Sequence, residues 1–269
     1  MRVVLPMVLL VAAAAPAAEL RFVRDGREVG RVDLAALRRG CHERAIEVDD
    51  PYYEARKSFR ACPLTEVLAL GFGTPAASFR GKDVFFRARD GYVKPARGER
   101  LVEEGGFVAF ADADREAGWE PIDRRGLDPG PFYVVWTKPK QRDTHAYPWP
   151  YQLVEIEVAD FAHKYPHTVP TTAPAGAAAW EGFAVFRTEC IACHAVNGEG
   201  GKVGPDLNVP RSIVEYRPVE QLKEYIRDPS AFRYGNMPSH THLSPAQLDA
   251  LIAYFQVMRT LKHDPRAVR

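Results

Sequence analysis

Cys190-Ile191-Ala192-Cys193-His194 is the stretch from which the rest of the chain can be read. Two thiols separated by two residues can each add across a haem vinyl group, and the histidine that follows is carried to the iron as an axial ligand. A zinc site would need two further ligands at matching spacing, and no second CxxC occurs. A thioredoxin-like dithiol would open a helix in a βαβ setting, which these flanks lack. The spacing therefore predicts one covalent haem, attached through Cys190 and Cys193 and ligated by His194.

Working outward, residues 177–188 read as a helix leading into this motif. Gly182 lets a second helix approach closely, while Phe183 and Phe186 are expected to cover the porphyrin edge. The approaching helix is the last one. Ser244-Pro245-Ala246-Gln247 supplies an N-cap, a proline at the first helical position and a capping-box residue, and Leu248, Leu251, Ile252, Phe255 and Met258 form one apolar stripe. Val219–Arg227 predicts a third helix, stopped by Asp228-Pro229. After the first 17 residues the chain holds only two methionines. Met237, in Tyr234-Gly235-Asn236-Met237-Pro238, sits where a thioether can turn inward, whereas Met258 lies on the stripe. Met237 is the expected sixth ligand, with His240 and His242 as rivals. Copper at His240, His242 and Met237 would lack the cysteine of a blue-copper centre.

Cys-x-x-Cys-His, Gly204-Pro205-Asp206-Leu207, Tyr225-Ile226-x-Asp228-Pro229, Gly235-x-Met237-Pro238 and Leu251-Ile252-Ala253-Tyr254, in that order, resemble a class I c-type cytochrome over the last third of the chain. The resemblance implies an all-α haem domain with His194 and Met237 on the iron. It also implies that the Pro205 carbonyl accepts from the other ring nitrogen of His194 and so orients it.

The chain has 269 residues, enough for about two domains. It opens with Arg2, an apolar run from Val3 to Ala15 and Ala15-Pro16-Ala17-Ala18, the pattern of a secretory signal peptide over 1–17. Export, to the periplasm of a bacterium, is where haem and reduced thiols would be joined. No later stretch approaches ~20 apolar residues, so no transmembrane segment is expected in the mature chain. With 36 Lys/Arg against 35 Asp/Glu, near-evenly spread, nothing points to nucleic acid.

Residues 18–165 alternate strand and helix signals and predict an α+β domain. Asp25-Gly26 marks a hairpin, Asp33 a helix cap, Gly71 the end of a helix begun at Pro63, and Asp90-Gly91 a tight turn. In order, Leu34 to Leu37, Phe59-Arg60-Ala61-Cys62-Pro63-Leu64, Phe86 to Tyr92, Gly130-Pro131-Phe132-Tyr133-Val134-Val135-Trp136 and Leu153 to Val158 resemble the molybdopterin-binding fold of the sulfite oxidase type. In that family a cysteine in a Cys-x-Gly-Asn context binds molybdenum. Neither Gly40-Cys41-His42 nor Ala61-Cys62-Pro63 has that context, so the expected version of the fold carries no molybdopterin. Cys41 and Cys62 are then left either to pair, closing a loop that stabilises by ~3 kcal/mol, or to remain separate thiols. Tyr147-Pro148-Trp149-Pro150-Tyr151 reads as a rigid lead-in to a strand. His145, His163 and His167 read as surface or capping residues.

Residues 166–176, rich in Pro, Thr and Ala, read as a semi-rigid linker, followed by the haem domain at 177–269. The fold class expected is thus multidomain: an α+β sulfite oxidase-like unit and an all-α class I cytochrome c unit. The expected function is single-electron transfer to or from a periplasmic redox protein, with the first unit as docking module and no catalysis of its own. The alternatives are a molybdenum-dependent dehydrogenase passing electrons to the haem, and a haem-based gas sensor.

Overall fold

A computed structural model describes residues 18–122 and 126–267. The expected signal peptide lies outside the described residues. The first unit runs β1 (Glu19–Arg24), β2 (Arg27–Asp33), α1 (Leu34–Gly40), β3 (Arg44–Asp50), β4 (Ala55–Pro63), α2 (Leu64–Phe72), β5 (Asp83–Ala88), β6 (Val93–Arg97), α3 (Gly98–Leu101), β7 (Gly106–Asp112), β8 (Tyr133–Trp136), β9 (Leu153–Ala159) and α4 (Phe161–Lys164). These strands form two sheets, ordered β2-β1-β9-β5-β6 and β3-β4-β7-β8. Among the described residues only β1 and β9 pair in parallel, which chain positions so far apart make possible.

Local chemistry accounts for most boundaries. Asp25 and Gly26 both take positive φ, as a tight hairpin between right-twisted strands requires. The Asp33 carboxylate accepts from the Ala36 N–H at 2.6 Å and starts α1. Helix α2, however, ends at Gly73 (φ +63°), not at Gly71. Gly71 lies inside the helix because the Phe22 ring occupies its side-chain space: a Cβ there would stand 2.2 Å from a ring carbon. Phe22, Phe59, Leu68, Phe86, Tyr133 and Trp136 meet in one core between the two sheets and α2.

Two features pin this unit. A disulfide joins Cys41, just past α1, to Cys62 at the end of β4, with Cα atoms 5.8 Å apart. Across the second sheet, buried Lys57 on β4 reaches Asp112 at the end of β7 (3.0 Å) and Glu120 (2.7 Å).

The second unit runs α5 (Ala178–Val185), β10 (Ala195–Val196), β11 (Glu199–Gly200), α6 (Ile213–Tyr216), α7 (Val219–Arg227) and α8 (Pro245–Met258). Ser244 and Gln247 close a capping box on α8. The α5–α8 crossing turns on Gly182, where a Cβ would lie 1.9 Å from the Ala250 carbonyl oxygen. Phe183 and Phe186 pack into that seam against Tyr254, at centroid distances of 5.7 and 5.3 Å. Phe186 is fully buried and also meets Phe255, in a core that includes Leu251.

The first part of the 166–176 segment is bonded into the second unit, whereas residues 171–176 are largely exposed. Tyr254 Oη donates to the Thr168 carbonyl (2.8 Å), Asn197 Nδ2 donates to the His167 carbonyl (2.8 Å), and His167 meets Glu199. The core of the helices also draws on both sides of this segment, taking in Phe85, Val93, Phe161 and Tyr165 beside Phe183 and Phe186. Among the described residues no helix is long and apolar enough to cross a membrane.

Candidate haem-binding site

Helix α5 runs into a wide π-type turn over Phe186–Cys190, closed by the Ile191 N–H on the Phe186 carbonyl at 2.9 Å. The next turn folds back tightly, with the N–H groups of Cys193 and His194 both donating to the Cys190 carbonyl (3.2 and 2.9 Å). Cys190, Cys193 and His194 are thereby carried on one short loop. Its return strand lies flush on it: Gly201 N–H donates to Ile191 and Gly204 N–H to Cys193, each at 2.8 Å. Glycine is required at both points. A Cβ on Gly201 would sit 2.1 Å from the Ala192 oxygen, and one on Gly204 2.4 Å from His194 Cε1.

Cys190 and Cys193 are unpaired. Burial, followed by the neighbouring Glu189 carboxylate, pushes the Cys190 thiol up to about 12, and burial likewise raises Cys193. Both are neutral thiols near neutral pH. His194 Nδ1 lies 2.8 Å from the Pro205 carbonyl oxygen, so Nδ1–H donates there and Nε2 is the ring's remaining ligand atom. Burial lowers the His194 pKa despite that bond, with His240 adding to the effect, and favours the neutral imidazole that a metal needs. Behind the loop, the Asp206 carboxylate gathers the N–H groups of Gly198, Asn208 and Val209. Asn208 ties the loop to α8 through the Met258 carbonyl at 2.7 Å.

Met237 is half-buried against the second core, whereas Met258 is wholly enclosed in it. His240 is 7 % exposed, and its Nδ1 has no hydrogen-bond partner among the described residues. His242 is instead engaged by Glu189 at 3.1 Å. Two unpaired thiols on one turn, an imidazole with one nitrogen already bonded, and glycines where side chains would displace the loop make a donor set that fits haem c.

Sequence reasoning missed the part played by the first unit. The Val93 N–H donates to the Ala192 carbonyl (2.9 Å) and the Lys202 N–H to the Gly91 carbonyl (3.0 Å), so the β5–β6 turn rests on the Cys-x-x-Cys loop. Tyr52, Tyr92 and Lys94 all lie within electrostatic reach of the Cys193 sulfur. Asp90-Gly91 signalled the turn but nothing in it signalled a destination.

Residues 179–259 match the family model for cytochrome c. This part of the chain is a cytochrome c domain. The family implies covalently bound haem c, in agreement with the geometry around Cys190, Cys193 and His194. Among curated proteins, the chain is 34% identical over 90 residues to cytochrome c oxidase subunit 2 of Alkalihalophilus pseudofirmus. It is 32% identical over 92 residues to cytochrome c oxidase subunit 2 of Bacillus sp. strain PS3. These matches take in 30% and 29% of this chain, and the chain spans about a quarter of each relative's length, 26% in both cases.

Proposed function

We propose that the protein is an exported monohaem c-type cytochrome that passes single electrons to or from a periplasmic oxidoreductase. In this reading the first unit is a sulfite oxidase-type fold without its pterin and serves as the docking module. The observation that carries the proposal is the Cys190–His194 loop, with free thiols and a histidine whose Nδ1 is already committed to Pro205. Haem c bound there supplies one-electron chemistry. Cys190 and Cys193 would hold it by thioether bonds, His194 and Met237 would ligate its iron, and the Pro205 carbonyl keeps the imidazole ring from rotating. Gly204 leaves space for that ring. The buried seam of α5 and α8 keeps water from the loop's rear and favours the less charged ferrous state.

Donor chemistry argues against the molybdenum reading. The two cysteines outside the haem motif, Cys41 and Cys62, are bonded to each other, which leaves no thiolate for the metal. The match to subunits named for cytochrome c oxidase agrees with a redox role, and the donor and acceptor are sought among redox proteins. Carbon monoxide tests the ligation. An electron carrier with both axial positions filled gives a ferrous spectrum unmoved by the gas, and rapid binding would favour a sensor.

A further inference from the structure

We propose a second metal site, for a divalent transition ion such as zinc, formed by His145, Glu189 and His242. His145 comes from the first unit, Glu189 directly precedes Cys190, and His242 lies on the connection between α7 and α8. The three ligand atoms all lie within 4.8 Å of one another. His145 Nδ1 stands 3.3 Å and His242 Nε2 3.1 Å from the same oxygen, Glu189 Oε2. Ligands at ~2.0–2.1 Å from a tetrahedral zinc are ~3.3 Å apart, so both separations are edges of such a site. Two imidazoles and a carboxylate are also the donor set that zinc takes when one position is left for water.

The Asp143 carboxylate accepts from the His145 backbone N–H at 2.9 Å and fixes the turn that carries the ring, and the two imidazole rings meet edge to face with centroids 4.7 Å apart. Glu189 is largely buried, its side chain 12 % exposed, while the histidines open to solvent and give an ion its way in. Lys94 is the cation facing the same carboxylate. Ordinary surface pairs differ: His42–Glu66 and His167–Glu199 each bring one histidine to one carboxylate.

An ion there would clip the first unit to the connection that also carries Met237. It would also place a fixed positive charge one residue from a haem-bearing cysteine, which stabilises the electron-rich ferrous state and raises the reduction potential.

The test uses tag-free, haem-loaded, chelator-treated protein titrated with zinc chloride near neutral pH. The expected result is one zinc per chain, an X-ray absorption signature of two imidazoles, and a midpoint potential that rises on zinc addition. His145→Ala and His242→Ala should each weaken binding by ~100-fold or more and abolish the shift in potential, while His42→Ala changes neither. Zinc bound equally well by both variants, or no zinc bound, would overturn the site. If a substitution unfolds the protein, the absorption spectrum of the unsubstituted protein still decides, because a shell with fewer than two imidazoles contradicts the assignment.

Discussion

Single side chains decide the chemistry proposed for the haem. In the proposed ligation Met237 takes the second axial position and His240 is its rival, and they differ in donor: a thioether raises the potential, an imidazole lowers it. Met237→Leu is expected to abolish the sulfur-to-iron charge-transfer band of the ferric protein and to lower the potential by on the order of 0.1 V, within the span that axial ligands set. A band that survives in this variant assigns the sulfur elsewhere. Lys57 carries the other residue-scale prediction. Burial alone would lower its pKa, but the bonds to Glu120 and Asp112 outweigh burial and hold it above the usual 10.5. Its contribution to stability is therefore whole below pH 10.5 and is lost as pH rises through the raised value. Lys57→Met, which strands the buried Asp112 carboxylate, should cost ~3–5 kcal/mol near neutral pH. The gap between the two urea-unfolding midpoints should shrink only above pH 10.5.

At the scale of elements, what was legible in the sequence was what local chemistry decides. Ser244, Pro245 and Gln247 mark the start of α8 within four residues, and the apolar stripe from Leu248 to Met258 needs no knowledge of the partner helix. The end of α2 was misread because the deciding atom belongs to Phe22, on another strand, and not to the helix. Phe183 and Phe186, which precede the haem motif, meet Tyr254 across the α5–α8 crossing, a pairing that depends on both helices. Gly182 was correctly read as a crossing point, and it gives the sharpest test of an element. Gly182→Ala drives a methyl group into the Ala250 carbonyl and should destabilise the cytochrome domain by ~2 kcal/mol, measured as a lowered urea midpoint of the haem absorbance. A variant as stable as the parent would mean that the two helices can part at no cost.

Over the whole molecule, the least legible feature was how the two units meet. Cys41 and Cys62 could be counted but not paired, since only the fold brings their Cα atoms to 5.8 Å. The convergence of His145 with Glu189 and His242 left no trace in spacing at all. The Pro-rich segment read as a spacer, yet Thr168 and His167 are bonded into the second unit, and Phe161 stacks edge-on against Phe183 at 5.9 Å. Arg187 lies over the Phe161 ring, 3.8 Å from its centroid, and completes the contact. Because Phe85, Val93, Phe161 and Tyr165 are shared by the second core, the units should unfold together. Thermal unfolding followed by far-ultraviolet circular dichroism and by haem absorbance is expected to give coincident midpoints; two separated transitions would show that the shared core couples them only weakly.

The central claim is that this chain carries electrons through one haem and holds no second redox metal of its own. Elemental analysis, on protein exported from a host able to make both cofactors, tests it most directly. The account predicts one iron per chain and no molybdenum, whereas molybdenum approaching one per haem would contradict it and make the protein a self-contained dehydrogenase.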